Sequence, residues 1–470
     1  MSISLNDLNA LLPELSLVSG IILFPFFLLI KNKRWEIMSF FTALIFLVNL
    51  ALAFLAEENE RSLFSNQLFT GRIVSGGRII LALAGCLITL LFHSYHLNRG
   101  RAEYHIFTLS LQLGAQLTLM AGHAISFILA LEIMSISAYA LSGFLFSDKS
   151  SEAGIKFFLH GSMATAILSF GFSWVYGHTG TLSLETISGL IQSDLIPGTL
   201  AFTGLLLIVA ALTFKITAAP MHWWAPDVFQ AAPYPVIGFL STIPKISVVL
   251  LLARLSTSNN GQPQTGWLII IGTLAILTLL AGNFPALRQT NARRLLGYSS
   301  IGQAGFLLTG LCIASVQIEK ILIYYSLAMV TGVILVVYCL NWFEREMKSV
   351  EISDFSGLGK NTLLASTGIT IGFLSLTGLP PFAGFTAKFL IFTALGNNPS
   401  DSGILTISLL VFGILNTAIA LFYYIRIPLR LFLFEKQKDY SFRANSITDH
   451  VVIIGLSLLL VVLFLIPGWF

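Results

Sequence analysis

Charge is what this chain has least of: Asp, Glu, Lys and Arg together make 10% of its 470 residues. A soluble protein carries about 25%, so too few solvated side chains exist to cover a globular surface of this size. That excludes a water-soluble enzyme. Cysteine is also scarce. Cys86, Cys312 and Cys339 stand far apart inside apolar runs, with no CxxC or Cys/His ligand spacing. Iron–sulfur, zinc and disulfide frameworks are therefore not expected. The 26 basic residues are spread over short connections and the formal net charge is +4, so no nucleic-acid patch forms. A disordered chain needs low hydrophobicity and high charge. Here 56% of residues are hydrophobic and 12% aromatic, and mean hydropathy is +0.85.

What the chain has is apolar length. Runs long enough to cross a bilayer core of about 30 Å as helices recur at 12–30, 37–55, 73–92, 104–121, 124–146, 155–176, 198–219, 235–255, 266–284, 295–313, 320–343, 361–379 with 384–395, 403–426 and 451–468. The reading is an all-α polytopic membrane protein of about fourteen spans. A barrel is excluded, because its strands would alternate in polarity over about ten residues. The first run is not read as a secretory signal. Asp7 and Glu14 lie at its start and Lys31, Lys33 and Arg34 follow it.

The connections bear on orientation. With the N-terminus outside, 16 basic residues, Lys31, Lys33, Arg34, Arg99, Arg101, Lys149, Arg288, Arg293, Arg294, Arg345, Lys348, Lys360, Arg430, Lys436, Lys438 and Arg443, fall on inside connections; only Arg61 and Arg72 fall outside. The positive-inside rule then puts both termini on the non-cytoplasmic side. No soluble domain remains to hold a nucleotide or a redox centre.

Four charges lie deep in apolar runs: Glu132, Lys215, Lys245 and Lys388. Each costs roughly 2.5–3.5 kcal/mol at a helix centre, so something must offset them. One structural ion pair would leave at least two lysines without an acid. Lys156 and Lys320, near span starts, can snorkel. A relay offers more: burial weakens a lysine's hold on its proton and a nearby carboxylate strengthens it. A lysine whose carboxylate approaches or withdraws is an adjustable proton site.

Prolines mark broken helices beside these lysines. Pro220, Pro226, Pro233 and Pro235 follow Lys215, Pro244 precedes Lys245, and Pro380-Pro381 precede Lys388. Broken backbone survives at membrane depth only where protein or water solvates it. Paired interruptions in two halves of a transporter point to its ion path. The broken spans are the seventh and twelfth. An offset of five reverses orientation, so spans 4–8 and 9–13 read as inverted repeats. Four segments follow: 1–103, 104–255, 266–433 and 434–470. His160 and His222 can carry protons near neutral pH. Asp227 is expected to cap a short helix, and Gln303 and Asn416 to hold water or pair helices.

At these residues a resemblance emerges. FKITAAPMHWWAPDVFQAAPYPVIGFLSTIPK, LALEIMSISAYALSGF with EAGIKFFLHGSMA, RRLLGYSSIGQAGF and LTGLPPFAGFTAKF resemble the signature blocks of the antiporter-like membrane subunits of respiratory NADH:quinone oxidoreductase. The resemblance runs from about 75 to 430. Among those paralogues the chain looks most like the N type: no long C-terminal lateral helix follows, and Lys388 stands where the M type has a glutamate. The resemblance implies proton translocation driven by quinone reduction elsewhere. It implies a pair of Glu132 with Lys215, a link between half-channels at Lys245, and an exit station at Lys388, with Lys156, His160, His222 and Gln303 as further channel residues. Relatives often have histidine where this chain has Gln303, which cannot titrate. It further implies no cofactor in this chain, with NAD and quinone used by the whole complex. The implied partners are M-type and small K- and J-type membrane subunits in a bacterial inner membrane. The alternative is a subunit of a multisubunit sodium/proton antiporter, which shares the signature blocks.

Overall fold

The computed structural model describes residues 5–27, 35–56, 59–92, 101–193, 199–257, 264–313, 317–397, 403–438, 440, 442 and 446–466. Lys31, Lys33, Arg34, Arg99 and Arg443 lie outside the described residues. Nine helices among the described residues are at least 18 residues long and apolar enough to cross a membrane, and shorter apolar helices fill further runs. The chain is a multi-pass helical membrane protein. Many large apolar side chains are exposed, among them Phe40, Leu55 and Ile404, as a lipid-facing surface requires.

Two compact units form, Met1–Trp224 with Ala231–Ile270, and Ala225–Gln230 with Ile271–Phe470. The first holds α1 (Leu5–Ala10), α2 (Leu12–Phe27), α3 (Trp35–Leu55), α4 (Arg72–Phe92), α5 (Arg101–Met120), α6 (Ala124–Ser142), α7 (Asp148–Thr179), α8 (Leu184–Ile191) and α9 (Leu200–Lys215). The short α10 (Ala225–Ala231) follows, then α11 (Tyr234–Thr257). α11 packs against α4, α5, α6, α8 and α9 and is buried from Tyr234 to Ser256. A helix apolar all round belongs in such a position. α7 and α9 cross closely: a Cβ on Gly171 would sit 2.9 Å from the Gly204 carbonyl oxygen, and one on Gly204 equally close to that of Gly171. Small residues at a crossing let backbones approach where no hydrophobic drive exists.

The second unit takes most of α12 (Thr265–Ala286), then α13 (Ala292–Gly310), α14 (Ile318–Met347), α15 (Leu363–Thr377), α16 (Ala383–Asn397), α17 (Gly403–Tyr424), α18 (Arg426–Leu433) and α19 (Ile447–Leu465). α14 packs on α13, α15, α16 and α19.

Among the described residues the structure departs from the all-α expectation at a short hairpin. Arg61–Leu63 and Leu68–Thr70 form a small antiparallel hairpin, Arg61 opposite Thr70. α8 is a second addition, begun by Ser183, whose side chain caps the Glu185 N–H. The seventh run, read as 198–219, is helical only to Lys215. The twelfth divides where its prolines stand, α15 ending at Thr377 and α16 starting at Ala383.

Candidate functional site

α9 ends on Lys215, and Thr217 just beyond it takes a left-handed backbone, φ 63°. β-branched residues rarely adopt that conformation, and such outliers gather at functional sites. The chain then turns through Pro220 into α10 instead of continuing the helix. The Lys215 ammonium is thereby placed inside the unit, with its side chain 4% exposed. It donates to Ser135 Oγ at 2.6 Å and to the Tyr139 hydroxyl at 3.3 Å. Glu132 Oε1 lies 3.6 Å away. Glu132, Ser135 and Tyr139 recur at spacings of three and four, which puts all three on one face of α6. The Thr165 hydroxyl of α7 donates to the same Glu132 oxygen at 2.6 Å. Glu132 is thus held from one side by Thr165 and attracted from the other by Lys215. A small cavity adjoins the lysine, lined in part by Tyr139, Phe157, Trp224 and Pro244, with room for a water molecule.

The second unit builds its site differently. α15 stops at Gly378, φ 90°, where a residue with a Cβ would be strained. Its last carbonyls have no helical N–H donors to pair with. Lys388 of α16 donates to the carbonyls of Leu376 and Thr377 at 3.1 and 2.7 Å, at the negative end of the helix dipole. Its ammonium also lies 4.1 Å from the Phe306 ring centre, a favourable cation–π placement. The close approach of α15 and α16 needs Gly384, whose Cβ would fall 1.8 Å from the Ser375 carbonyl oxygen.

Gln303 of α13 is drawn into the same site. Its amide N–H donates to the Leu376 carbonyl at 3.1 Å and the Tyr424 hydroxyl at 3.4 Å, while the Tyr325 hydroxyl donates to its oxygen at 2.5 Å. Protein groups fill most of the roles expected for water. Tyr424 and Ser299 share a further short hydrogen bond, and Tyr423 donates to Asn283, which donates to Asn416. A cavity beside Lys388 is lined by Gln303, Tyr325, Ser375 and Gly384 among others.

Other sequence-selected residues stand apart. Lys245 is fully buried in α11, and its neighbour Pro244, not Lys245 itself, lines the Lys215 cavity. His222 is buried and stacks on Trp223, 4.7 Å between ring centres. Lys156 and His160 lie on the exposed side of α7 in this chain. Lys156 pairs with Glu152 at 2.6 Å, and His160 Nδ1 contacts the Lys156 carbonyl at 2.7 Å. Neither faces Lys215, and His160 is not a core histidine. Asp227 sits in the first turn of α10 and pairs with Arg294 at 2.6 Å. Sequence reading missed Ser135, Tyr139, Thr165 and Tyr325, neutral side chains that are unremarkable in a span. It also missed the buried pair of Arg78 with Glu14 at 2.8 Å, since Glu14 reads as a flanking acid.

The model of the NADH:quinone oxidoreductase/Mrp antiporter transmembrane family matches residues 121–415. The chain is 32% identical over 395 residues to NADH-quinone oxidoreductase subunit N of Rhodospirillum rubrum, covering 83% of this chain and 79% of that one. It is 33% identical over 451 residues to the chloroplastic NAD(P)H-quinone oxidoreductase subunit 2 of Mesostigma viride, covering 94% and 88%. Among solved structures, a chain of respiratory complex I from Thermus thermophilus with bound aureothin superposes with TM-score 0.81 at 26% identity, over 97% of this chain and 98% of that one. A chain of the membrane-bound sulfane sulfur reductase, an archaeal respiratory membrane complex, shares the fold with TM-score 0.86 at 23% identity, over 98% and 95%.

Proposed function

The chain belongs to the NADH:quinone oxidoreductase/Mrp antiporter membrane family, among the N-type subunits of NADH-quinone oxidoreductase, and from that premise we propose that it translocates protons in the membrane arm of such a complex. Quinone reduction in other subunits drives the transfer, and half-buried Glu132 with buried Lys215, Lys245 and Lys388 carries it. The observation that supports this most directly is the lysine at each broken helix. Lys215 ends α9 with Glu132 at 3.6 Å, and Lys388 caps the open end of α15. Each ammonium sits beside a small cavity, and at Lys215 the carboxylate of Glu132 is close enough to exchange a proton with it directly or through one water.

Fourteen spans with inverted five-span repeats fit the order of elements. α5, α6, α7, α9 with α10, and α11 make one set; α12, α13, α14, α15 with α16, and α17 make the other. The segments 1–103, 104–255, 266–433 and 434–470 follow from it, with both termini on the non-cytoplasmic side of a bacterial inner membrane. The chain itself holds no cofactor in this reading; NAD and quinone belong to the complex. Its neighbours are the M-type and small K- and J-type subunits and the lipid bilayer, with no nucleic acid.

The antiporter alternative shares the family model, but the relatives named above are oxidoreductase subunits, which favours the first reading. The test is Lys215→Met in the native membrane. The expected result is that the chain still co-purifies with dehydrogenase subunits while proton uptake driven by quinone reduction in vesicles falls several-fold. Unchanged pumping, or co-purification with small antiporter subunits alone, overturns the reading.

A further inference from the structure

α5 carries a second polar line, remote from Lys215 along the sequence and sharing no residue with either lysine site. His105, Thr108, Gln112 and Gln116 are fully buried. Their spacings of three, four and four hold them to one stripe of the helix. α3 presents Ser39, Thr42 and Asn49, again at helical spacing. Contacts fix the register of the two helices. Thr42 Oγ1 meets His105 Nδ1 at 2.8 Å. Asn49 donates to Gln116 Oε1 at 3.3 Å, and Gln116 donates back at 2.9 Å. Asn49 also donates to the Pro13 carbonyl of α2 at 2.7 Å. One turn past Gln116, Met120 touches Arg78, whose guanidinium grips both oxygens of Glu14 at 2.8 Å.

The line is incomplete in its middle. Gln112 lies between the His105 and Gln116 layers, and among the described residues neither its amide nitrogen nor its oxygen has a hydrogen-bond partner. His105 Nε2 and Ser39 Oγ are buried and likewise have no partner among the described residues. An unmet polar atom is costly in any apolar interior, and hydrocarbon supplies no water from outside. The stripe is neutral around Gln112, so an ion has no counter-charge there. Gln112 needs an acceptor for its N–H groups and a donor for its oxygen. One small molecule that both donates and accepts meets that need.

We infer that the seam between α3 and α5 is a water-binding site, with one ordered water on the Gln112 amide and one on His105 Nε2. Together with Asn49, Gln116 and the Arg78–Glu14 pair, these waters make a hydrated polar line through the N-terminal helices. The line is distinct from the residues assigned to proton transfer and does not rest on that assignment.

The test is a density map of the wild-type protein, purified with its native partners, at a resolution that shows ordered water. Peaks within about 3 Å of the Gln112 amide and of His105 Nε2 are expected. A dry seam at both positions overturns the inference. Gln112→Met keeps the volume and removes the amide. Its map is expected to lose the first peak and keep the second. Its melting temperature is expected not to rise, because a hydrated amide costs nothing that Met would relieve. A clear rise in melting temperature would mean that the amide is buried dry, and would equally overturn the site.

Discussion

Glu132 and Lys215 meet at 3.6 Å, too long for a tight ion pair, while Thr165 holds the same carboxylate oxygen at 2.6 Å. Glu132 is therefore positioned by a neutral donor and free to exchange its interaction with the lysine. Glu132→Gln keeps the shape and an oxygen for Thr165 but removes the charge. The lost contact costs on the order of 1–2 kcal/mol at a site open on one side, so assembly is expected to be normal. Coupled pumping in vesicles is expected to fall several-fold; full pumping with the glutamine would remove the carboxylate from the path. The four deep charges were legible in the sequence because each violates the cost of charge in hydrocarbon. Their partners were not. Ser135, Tyr139 and Thr165 violate nothing, and the carbonyls that hold Lys388 belong to backbone, which every residue has. Lys156 and His160, read from the sequence as channel residues, lie on the exposed side of α7, Lys156 against Glu152; the residue pattern of α7 alone does not say which side faces Lys215.

At the scale of elements, close backbone approach decides whether the sites form. A Cβ on Gly161 of α7 would lie 1.8 Å from the Tyr139 hydroxyl oxygen, and that hydroxyl accepts from Lys215. The clash falls on a side-chain ring, reaching its Cζ at 2.3 Å as well, and not on backbone, so the ring must turn away from Lys215. Gly161→Ala is therefore expected to leave the assembled complex intact and to reduce pumping, through a residue that touches neither charge. A pumping rate equal to wild type would show that Tyr139 is dispensable. Gly384 is the contrasting case, since its Cβ would meet the Ser375 backbone carbonyl, again at 1.8 Å. Backbone cannot yield without moving α15 against α16. Gly384→Ala is expected to cost about 1–3 kcal/mol, read as a lower melting temperature and yield of the complex; wild-type stability would show that the junction is loose. The breaks themselves were legible from proline, because proline removes a donor and clashes with the preceding turn. Their positions were less so. α9 stops at Lys215, ahead of Pro220, where Thr217 turns left-handed, and no residue type at 216–218 announces that turn. The hairpin at 61–70 was likewise invisible, two three-residue strands being too short for any periodicity.

Across the whole molecule, scarcity of charge is what makes the few buried lysines informative about one path or two. Each unit carries its own lysine at its own helix break, with its own partners. Two arrangements fit that duplication. If protons pass Lys215 and Lys388 in series, either station alone blocks transfer, and losing both costs no more than losing one. If the units conduct independently, each single loss leaves about half the flux, and the double loss compounds them, as distant independent sites do. The link between half-channels that the family resemblance implies at Lys245 makes the proposed relay serial. Lys215→Met and Lys388→Met are accordingly each expected to abolish most quinone-driven pumping. The double variant is expected to match the weaker single variant within error. The measurement is the initial rate of acidification in vesicles, normalised to the amount of assembled complex. Half-rates in the singles with near-zero rate in the double would replace the serial path with two separate ones.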